Sequence, residues 1–238
     1  MISKRIHFIW LSKKNKPKSF ELAYSGVKKY ANDYEVKIWD EENIKEESFY
    51  KNLPKYYFVL MSKKRFAFAS DILRFFILEK YGGIYFDIDQ VLIKNIDDLL
   101  DNKMFISKYH EVDNYYGFGL LGVTQDHNFI KSITDFYKNY NKKEFIIVNK
   151  IGSEIINNIL EKNKEDKSIN ILSQDYFYPL TESHYTENTR SYHIANTSWI
   201  PLYKKILFKI PFYLQIKSII KNLLPKNIKS KIFKTDYL

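Results

Sequence analysis

The twenty residues Ser70–Asp89, SDILRFFILEKYGGIYFDID, set Asp71, Arg74, Asp87 and Asp89 among large apolar side chains. At 100° per residue, Ser70, Asp71 and Arg74 share an arc of about 100° with Ala67 and Leu78. Ile72, Leu73, Phe75, Phe76 and Ile77 cover most of the remaining circumference. A helix that is apolar nearly all round is buried, and a buried carboxylate or guanidinium costs several kcal/mol unless it is paired or hydrogen-bonded. Two arrangements meet that constraint: an Asp71–Arg74 ion pair at i,i+3 that serves structure alone, or a polar stripe facing a charged, hydroxyl-rich ligand. Gly82 and Gly83 end the helix, since left-handed cap geometry is open to residues without a β-carbon. GIYFDID then reads as a strand. On a strand, Asp87 and Asp89 point the same way, roughly 6.5 Å apart, so both carboxylates approach one divalent ion. Acids at the carboxyl end of a buried strand stand where open α/β sheets bind ligands; the competing reading is a surface turn with two solvated acids.

Around this segment the pattern is that of an α/β protein. RIHFIW at 5–10 reads as a buried strand, and YEVKIW at 34–39 alternates as a second. Between them, Phe20, Leu22, Ala23, Val27 and Tyr30 have helical spacing, so strand, helix and strand form a parallel unit. Residues 40–58 are expected to be helical or irregular, punctuated by Pro54, ahead of a long helix from about Lys63 to Tyr81. Further on, NIDDLL reads as a loop, YYGFGLLG as a buried strand, and HNFIKSITDFYKNY and SEIINNILEKN as helices. NILSQDYFYPL and TRSYHIANTSW read as late strands and loops.

Composition narrows the chemistry. A chain of 238 residues, 45% hydrophobic, fills one sizeable core. The absence of cysteine excludes disulfides, thiolate catalysis and sulfur-ligated zinc, leaving oxygen and imidazole to hold a metal. The net charge of +10 invites a nucleic-acid reading, but residues 201–238 carry +8 of it and the first 200 only +2, which argues against a basic nucleic-acid-binding body. In that tail Phe212, Ile216, Ile219, Ile220 and Leu223 lie at helical spacing, with Lys217 and Lys221 on another face and Pro211 and Pro225 dividing it. Such a segment suits an anionic membrane surface, where each basic residue adds about 1 kcal/mol; docking of its apolar face on the body is the alternative. There is no run of roughly 20 uncharged apolar residues, and the opening MISKRIHFIWLSKK lacks the apolar core of a secretory signal. The expected location is therefore the cytoplasm, peripheral on the inner face of the cell membrane.

Taken together, AFASDILRFFILEKYGGIYFDID closely resembles the SDxxR…YGGxYxDxD segment of the DXD-type glycosyltransferases of family 32, among them capsular-polysaccharide and yeast mannosyltransferases. The glucosyltransferase domains of the large clostridial cytotoxins look alike. The resemblance extends to IHFIW at 6–10, YFYPL at 176–180 and SYHIANTSW at 191–199. It implies an α/β fold: a single GT-A type, Rossmann-like nucleotide-sugar-binding domain over residues 1–200, with a mixed, mainly parallel sheet, followed by the helical basic tail 201–238.

The resemblance also implies roles. Trp10 would stack on the nucleotide base, with an ordinary core aromatic as its alternative, and Ile9 offer backbone contacts to the base; Ser70, Asp71 and Arg74 would hydrogen-bond ribose and donor sugar. Tyr85 would sit near the phosphates or sugar. Asp87 would touch ribose and reach the metal through water, and Asp89 would bind the metal directly. His193 is the candidate for a further ligand, with a structural hydrogen-bonding role as its alternative. Ser198 and Trp199 would donate to the β-phosphate. The implied cofactors are Mn2+ or Mg2+ and a nucleotide-sugar, with a UDP-sugar expected and guanosine with mannose as the alternative within the family. The implied reaction is retaining transfer of a hexose or N-acetylhexosamine to a glycan or lipid-linked saccharide in polysaccharide biosynthesis, its leaving diphosphate stabilised by the ion held by Asp87 and Asp89, aided by Arg74 and Trp199. Three places depart from the family pattern: the positions around Gly117 and Phe118, the IGS at 151–153, and Ile194 after His193. A catalytically impaired sugar-nucleotide-binding homologue therefore stays open. So does a haloacid-dehalogenase-like phosphatase, because IYFDIDQV also fits its D-x-D strand with Asp87 as nucleophile.

Overall fold

A six-stranded mixed sheet with helices on both faces carries the chain. The computed structural model describes residues 1–110, 115–139 and 153–194; the tail 201–238, with Ser198 and Trp199, lies outside them. The described elements run β1 (Arg5–Ile9), α1 (Lys18–Tyr30), β2 (Glu35–Trp39), α2 (Glu41–Lys45), α3 (Lys55–Ser62), α4 (Phe66–Tyr81), β3 (Gly83–Phe86), β4 (Gln90–Leu92), β5 (Met104–His110), β6 (Tyr115–Val123), α5 (Asn128–Asn139), α6 (Ser153–Lys162), β7 (Ile169–Leu172) and β8 (Ser191–His193).

The sheet order is β2-β1-β3-β6-β5-β7, and β4 pairs with β8 in a separate ribbon. β1 is parallel to both β2 and β3, β6 is antiparallel to β3 and β5, and β7 is parallel to β5. The carboxyl ends of β1, β3 and β5 therefore share one edge. Alternation along the strands splits the core in two. Ile6 and Phe8 of β1 face the side covered by α1, while Ile9 joins the side covered by α4 and α5. β6 breaks this period: Phe118 and Leu120, two residues apart, lie in opposite core clusters. The cause is a bulge, since Ile106 pairs with Leu121 but the next residue, Ser107, pairs with Gly117.

The expected elements are present, with several differences, among them β4, which was not expected. α4 starts at Phe66 rather than near Lys63, because Lys63 and Arg65 donate backwards to Val59 and Leu60 and so close α3, with Lys64 at φ 55° between the helices. β5 was not expected; its sequence MFISKYH turns polar halfway and offers no clear alternation. The strand after the glycine pair stops at Phe86, so Asp87 and Asp89 are not strand neighbours. They stand in a turn closed by the Gln90 amide donating to the Asp87 carbonyl at 3.0 Å.

The helix-to-strand junction is fixed by Gly82 and Gly83 at φ 59° and 88°, both in the range that β-carbons resist. Gly82 has ψ −152°, an extended glycine conformation rather than the expected left-handed turn. Its carbonyl accepts from His7 Nε2 at 2.9 Å, and His7 Nδ1 accepts from Trp39 Nε1 at 3.0 Å. His7 thus ties β1, β2 and the α4–β3 junction, and the indole donor fixes its neutral tautomer. Burial pushes its imidazole down to about 4. Unfolding returns it to 6.5, so the unfolded chain takes up a proton that the native protein refuses. Stability should fall as pH drops from 6.5 toward about 4, by about 3 kcal/mol in all, and this contribution should level off below that. Urea unfolding across this range should show a slope shallower by about one proton in His7→Gln. Parallel curves, or an imidazole NMR midpoint for His7 near 6.5, would contradict the assignment.

Candidate active site

The carboxyl edge of the sheet brings together residues from α4, β3, the following turn and β8. Arg74 is only 5% exposed, buried in the middle of α4 as the helix's apolar circumference requires. Its guanidinium is held on several sides: Nη1 donates to the Phe118 carbonyl, Nη2 to Asp71 Oδ1, and Nη2 lies 3.5 Å from Asp87 Oδ1. The guanidinium also stacks over the Tyr85 ring at 4.5 Å. Burial disfavours the Arg74 cation, but Tyr85, Asp87 and Asp71 outweigh that and hold the charge in place. Asp71 stands at the rim with its side chain 36% exposed; desolvation by its surroundings pushes its carboxyl up to about 6, with Arg74 opposing and Asp87 adding.

Asp87 is the hub. Its Oδ1 accepts from the Tyr85 hydroxyl at 2.6 Å, and its backbone amide donates to the Gly119 carbonyl at 2.6 Å. A β-carbon on Gly119 would sit 2.7 Å from Asp87 Oδ2, so the bulge in β6 admits the carboxylate only because that residue is glycine. The same bulge aims the Gly119 and Leu120 amides at the Tyr178 hydroxyl, at 3.0 and 3.1 Å.

Asp89 meets His193 across the β4–β8 ribbon. Asp89 Oδ1 and His193 Nε2 are 3.0 Å apart, and the Ile194 amide donates to the Asp89 carbonyl at 2.9 Å. The ribbon is pinned by fully buried Gln90, whose Nε2 donates to the Phe177 carbonyl and to Ser191 Oγ. Burial works against the His193 cation, yet the bond to Asp89 and the charges of Asp89 and Asp87 raise its affinity for a proton above the ordinary histidine value.

Asp87, Asp89 and His193 each offer a ligand atom within 4.8 Å of the others, the one such grouping among the described residues. This donor set fits a divalent cation. Two ligands of one octahedral ion at about 2.1 Å stand about 3 Å apart, which is the Asp89–His193 separation. Two carboxylates and an imidazole suit Mn2+ or Mg2+, and no thiolate competes. Among the described residues, Arg74 Nε and His193 Nδ1 are buried without a hydrogen-bond partner, so the site keeps unused polar capacity.

The other expected residues are placed less closely. Ile9 is buried at the end of β1, the strand beside β3, and half-buried Trp10 follows just past it. The Trp10 indole donates to the Lys14 carbonyl at 2.9 Å, and Ser70 Oγ to the Phe66 carbonyl at 2.9 Å. Gly119, Tyr178 and Gln90 support the site and were not singled out from the sequence; nothing but the later-visible bulge marks Gly119. Tyr178 does lie within the YFYPL segment.

Comparison with known proteins adds a family to this geometry. Residues 17–106 match the family described as glycosyltransferase sugar-binding region containing DXD motif. Over that segment the chain is similar to the DXD-type glycosyltransferases. A protein of Acanthamoeba polyphaga mimivirus named as an uncharacterised glycosyltransferase is 27% identical over 236 residues, covering 88% of this chain and 89% of its own. Toxins of Photorhabdus asymbiotica and Yersinia ruckeri are 29% and 32% identical over 128 and 127 residues. Each match covers 41% of this chain and only 4% and 6% of those much longer proteins. The solved PaToxG glycosyltransferase superposes with a TM-score of 0.56 at 21% identity, over 70% of this chain and 73% of that one. The fold is accordingly α/β of the GT-A type, with a mixed sheet whose strands run mainly parallel. The phosphatase alternative loses its footing, because the family match includes both aspartates and Asp87 is engaged by Tyr85 and Arg74 rather than presented as a nucleophile.

If the Tyr178 hydroxyl is the acceptor that closes the bulge, Tyr178→Phe leaves two backbone amides of β6 without it. The expected cost is about 2 kcal/mol in urea unfolding, and a loss below about 0.5 kcal/mol would contradict this role.

Proposed function

We propose that this protein transfers a hexose or N-acetylhexosamine from a nucleotide-sugar, with a UDP-sugar as the donor, to a glycan or lipid-linked saccharide in polysaccharide biosynthesis. The observation that carries the reading is the convergence of Asp87, Asp89 and His193 beside buried Arg74, at the carboxyl edge of the sheet. Asp89 and His193 would hold Mn2+ or Mg2+, with Asp87 beside them facing the ribose. The ion supplies neutralisation of diphosphate charge when bound.

The chain's own groups do the rest. Trp10 stacks on the base, with Ile9 contributing backbone contacts to it. Ser70, Asp71 and Arg74 orient ribose and donor sugar, and Tyr85 lies against the sugar or phosphates. Ser198 and Trp199 donate to the β-phosphate. The acceptor oxygen bonds to the anomeric carbon on the face from which the diphosphate departs; the bond from that carbon to the phosphate oxygen breaks and its electron pair leaves with the diphosphate. The acceptor proton passes to the departing phosphate. Anomeric configuration is retained without a protein nucleophile, and the positive charge fixed at Arg74 favours the leaving group.

Among the described residues no helix is long and apolar enough to cross a membrane. Peripheral attachment through the lysine-rich residues 201–238 fits a transferase acting on lipid-linked acceptors, at the inner face of the cell membrane. UDP release from UDP-glucose, UDP-galactose and their N-acetyl forms with Mn2+ tests the reading. Asp89→Asn should lower the rate about 100-fold or more while leaving the circular-dichroism melt close to wild type. A folded Asp89→Asn variant with the wild-type rate would overturn the assignment.

A further inference from the structure

We propose that Tyr109 is the surface on which the sugar ring of a saccharide acceptor stacks. This rests on the transferase reading and names an acceptor contact for it.

The sheet order sets the direction. Along the carboxyl edge, Trp10 follows β1, Asp87 follows β3, and Tyr115 opens β6 beside the end of β5, which carries Tyr109. A nucleotide-sugar with its base at Trp10 and its diphosphate at Asp87 and Asp89 extends its sugar toward β6 and β5. The acceptor then meets that sugar on the Tyr109 side of the edge.

The ring at that place is both rigid and open. Tyr109 makes edge-on contacts with Tyr178 at 5.0 Å and with Tyr115 at 6.2 Å between ring centroids. Tyr178 is itself fixed by the Gly119 and Leu120 amides and touches His193 edge-on at 6.0 Å. Tyr109 is therefore two ring contacts from the metal-ligand group, yet it is 41% exposed, one of few large hydrophobic residues so exposed among the described residues. The face it leaves open lies beside the metal-ligand group, where a ligand can reach it.

The chemistry of such a ring selects its ligand. A pyranose presents one face of C–H bonds, slightly positive, which complements the negative face of an aromatic ring, and its hydroxyls find the phenolic oxygen alongside. A ring already held by two neighbours loses little conformational freedom on contact. Peptide acceptors lack that flat C–H face.

Saturation-transfer NMR tests this, with the full chain, UDP and Mg2+, and the methyl α- and β-pyranosides of glucose, galactose and mannose as probes. The expected result is saturation of ring protons of at least one pyranoside, reduced at least about fivefold in Tyr109→Ala and kept in Tyr109→Phe and Tyr109→Trp, with the thermal midpoint of each variant recorded as a check on folding. No saturation of any pyranoside, or equal saturation in a folded Tyr109→Ala, overturns the inference. Wild-type UDP release, measured separately, distinguishes the two levels. Release with saturation indifferent to Tyr109 leaves the transferase reading standing and removes this one; saturation that follows Tyr109 without release from any donor sustains the saccharide contact and removes the transferase.

Discussion

A guanidinium buried in the middle of an apolar helix is the constraint around which the edge of this sheet is organised. Arg74 is almost wholly withdrawn from water, so its counter-charges and acceptors come from four groups: Asp71 one turn back, Tyr85 and Asp87 at the end of β3, and the Phe118 carbonyl in β6. Breaking one partner of such a group costs several kcal/mol, because a buried charge is then left uncompensated. The bulge in β6 follows from this demand. A regular strand keeps its carbonyls within the ladder, whereas the extra residues turn the Phe118 oxygen toward Arg74 and open room at Gly119 for the Asp87 carboxylate.

From that anchor the site is assembled by long-range contacts. Asp87 is held from β3 and β6, while Asp89, two residues on, already belongs to the turn that leads into the β4–β8 ribbon. The register of that ribbon sets Gln90 opposite His193, so the buried amide of Gln90 decides how closely the imidazole approaches Asp89. A negatively charged pair beside a fixed positive charge, with an imidazole closing one side, is an arrangement built to receive a cation and an anion together.

Much of this was legible in the sequence, for identifiable reasons. The buried α4, its glycine stop and the parallel β1–α1–β2 unit follow from periodicity and from the backbone demands of Gly82 and Gly83, which are local. The Asp71–Arg74 contact expected as a structural pair exists, and it coexists with the reach of Arg74 to Asp87, so the two readings of the polar stripe are not exclusive. What periodicity misjudged was the end of β3. GIYFDID alternates as far as Asp89, but the chain turns at Asp87, because the pairing of β4 with β8, a hundred residues away in sequence, draws it out of the main sheet. The roles of Gly119 and Tyr178 were hidden for the same reason: a bulge is defined by its partner strand and has no signature in its own residues. Family resemblance reached His193, where residue type alone left a structural histidine equally open.

The central claim is that the paired aspartates and His193 act as one receptor for a divalent cation and a nucleoside diphosphate. Calorimetric titration of UDP into the full chain, with Mn2+ and again with EDTA, measures that coupling most directly. Obligatory coupling predicts that UDP binds at least about tenfold more tightly with Mn2+ and that this difference disappears when Asp87 and Asp89 are both replaced by asparagine. UDP binding of equal strength in EDTA, or a Mn2+ effect that survives the double replacement, would contradict it.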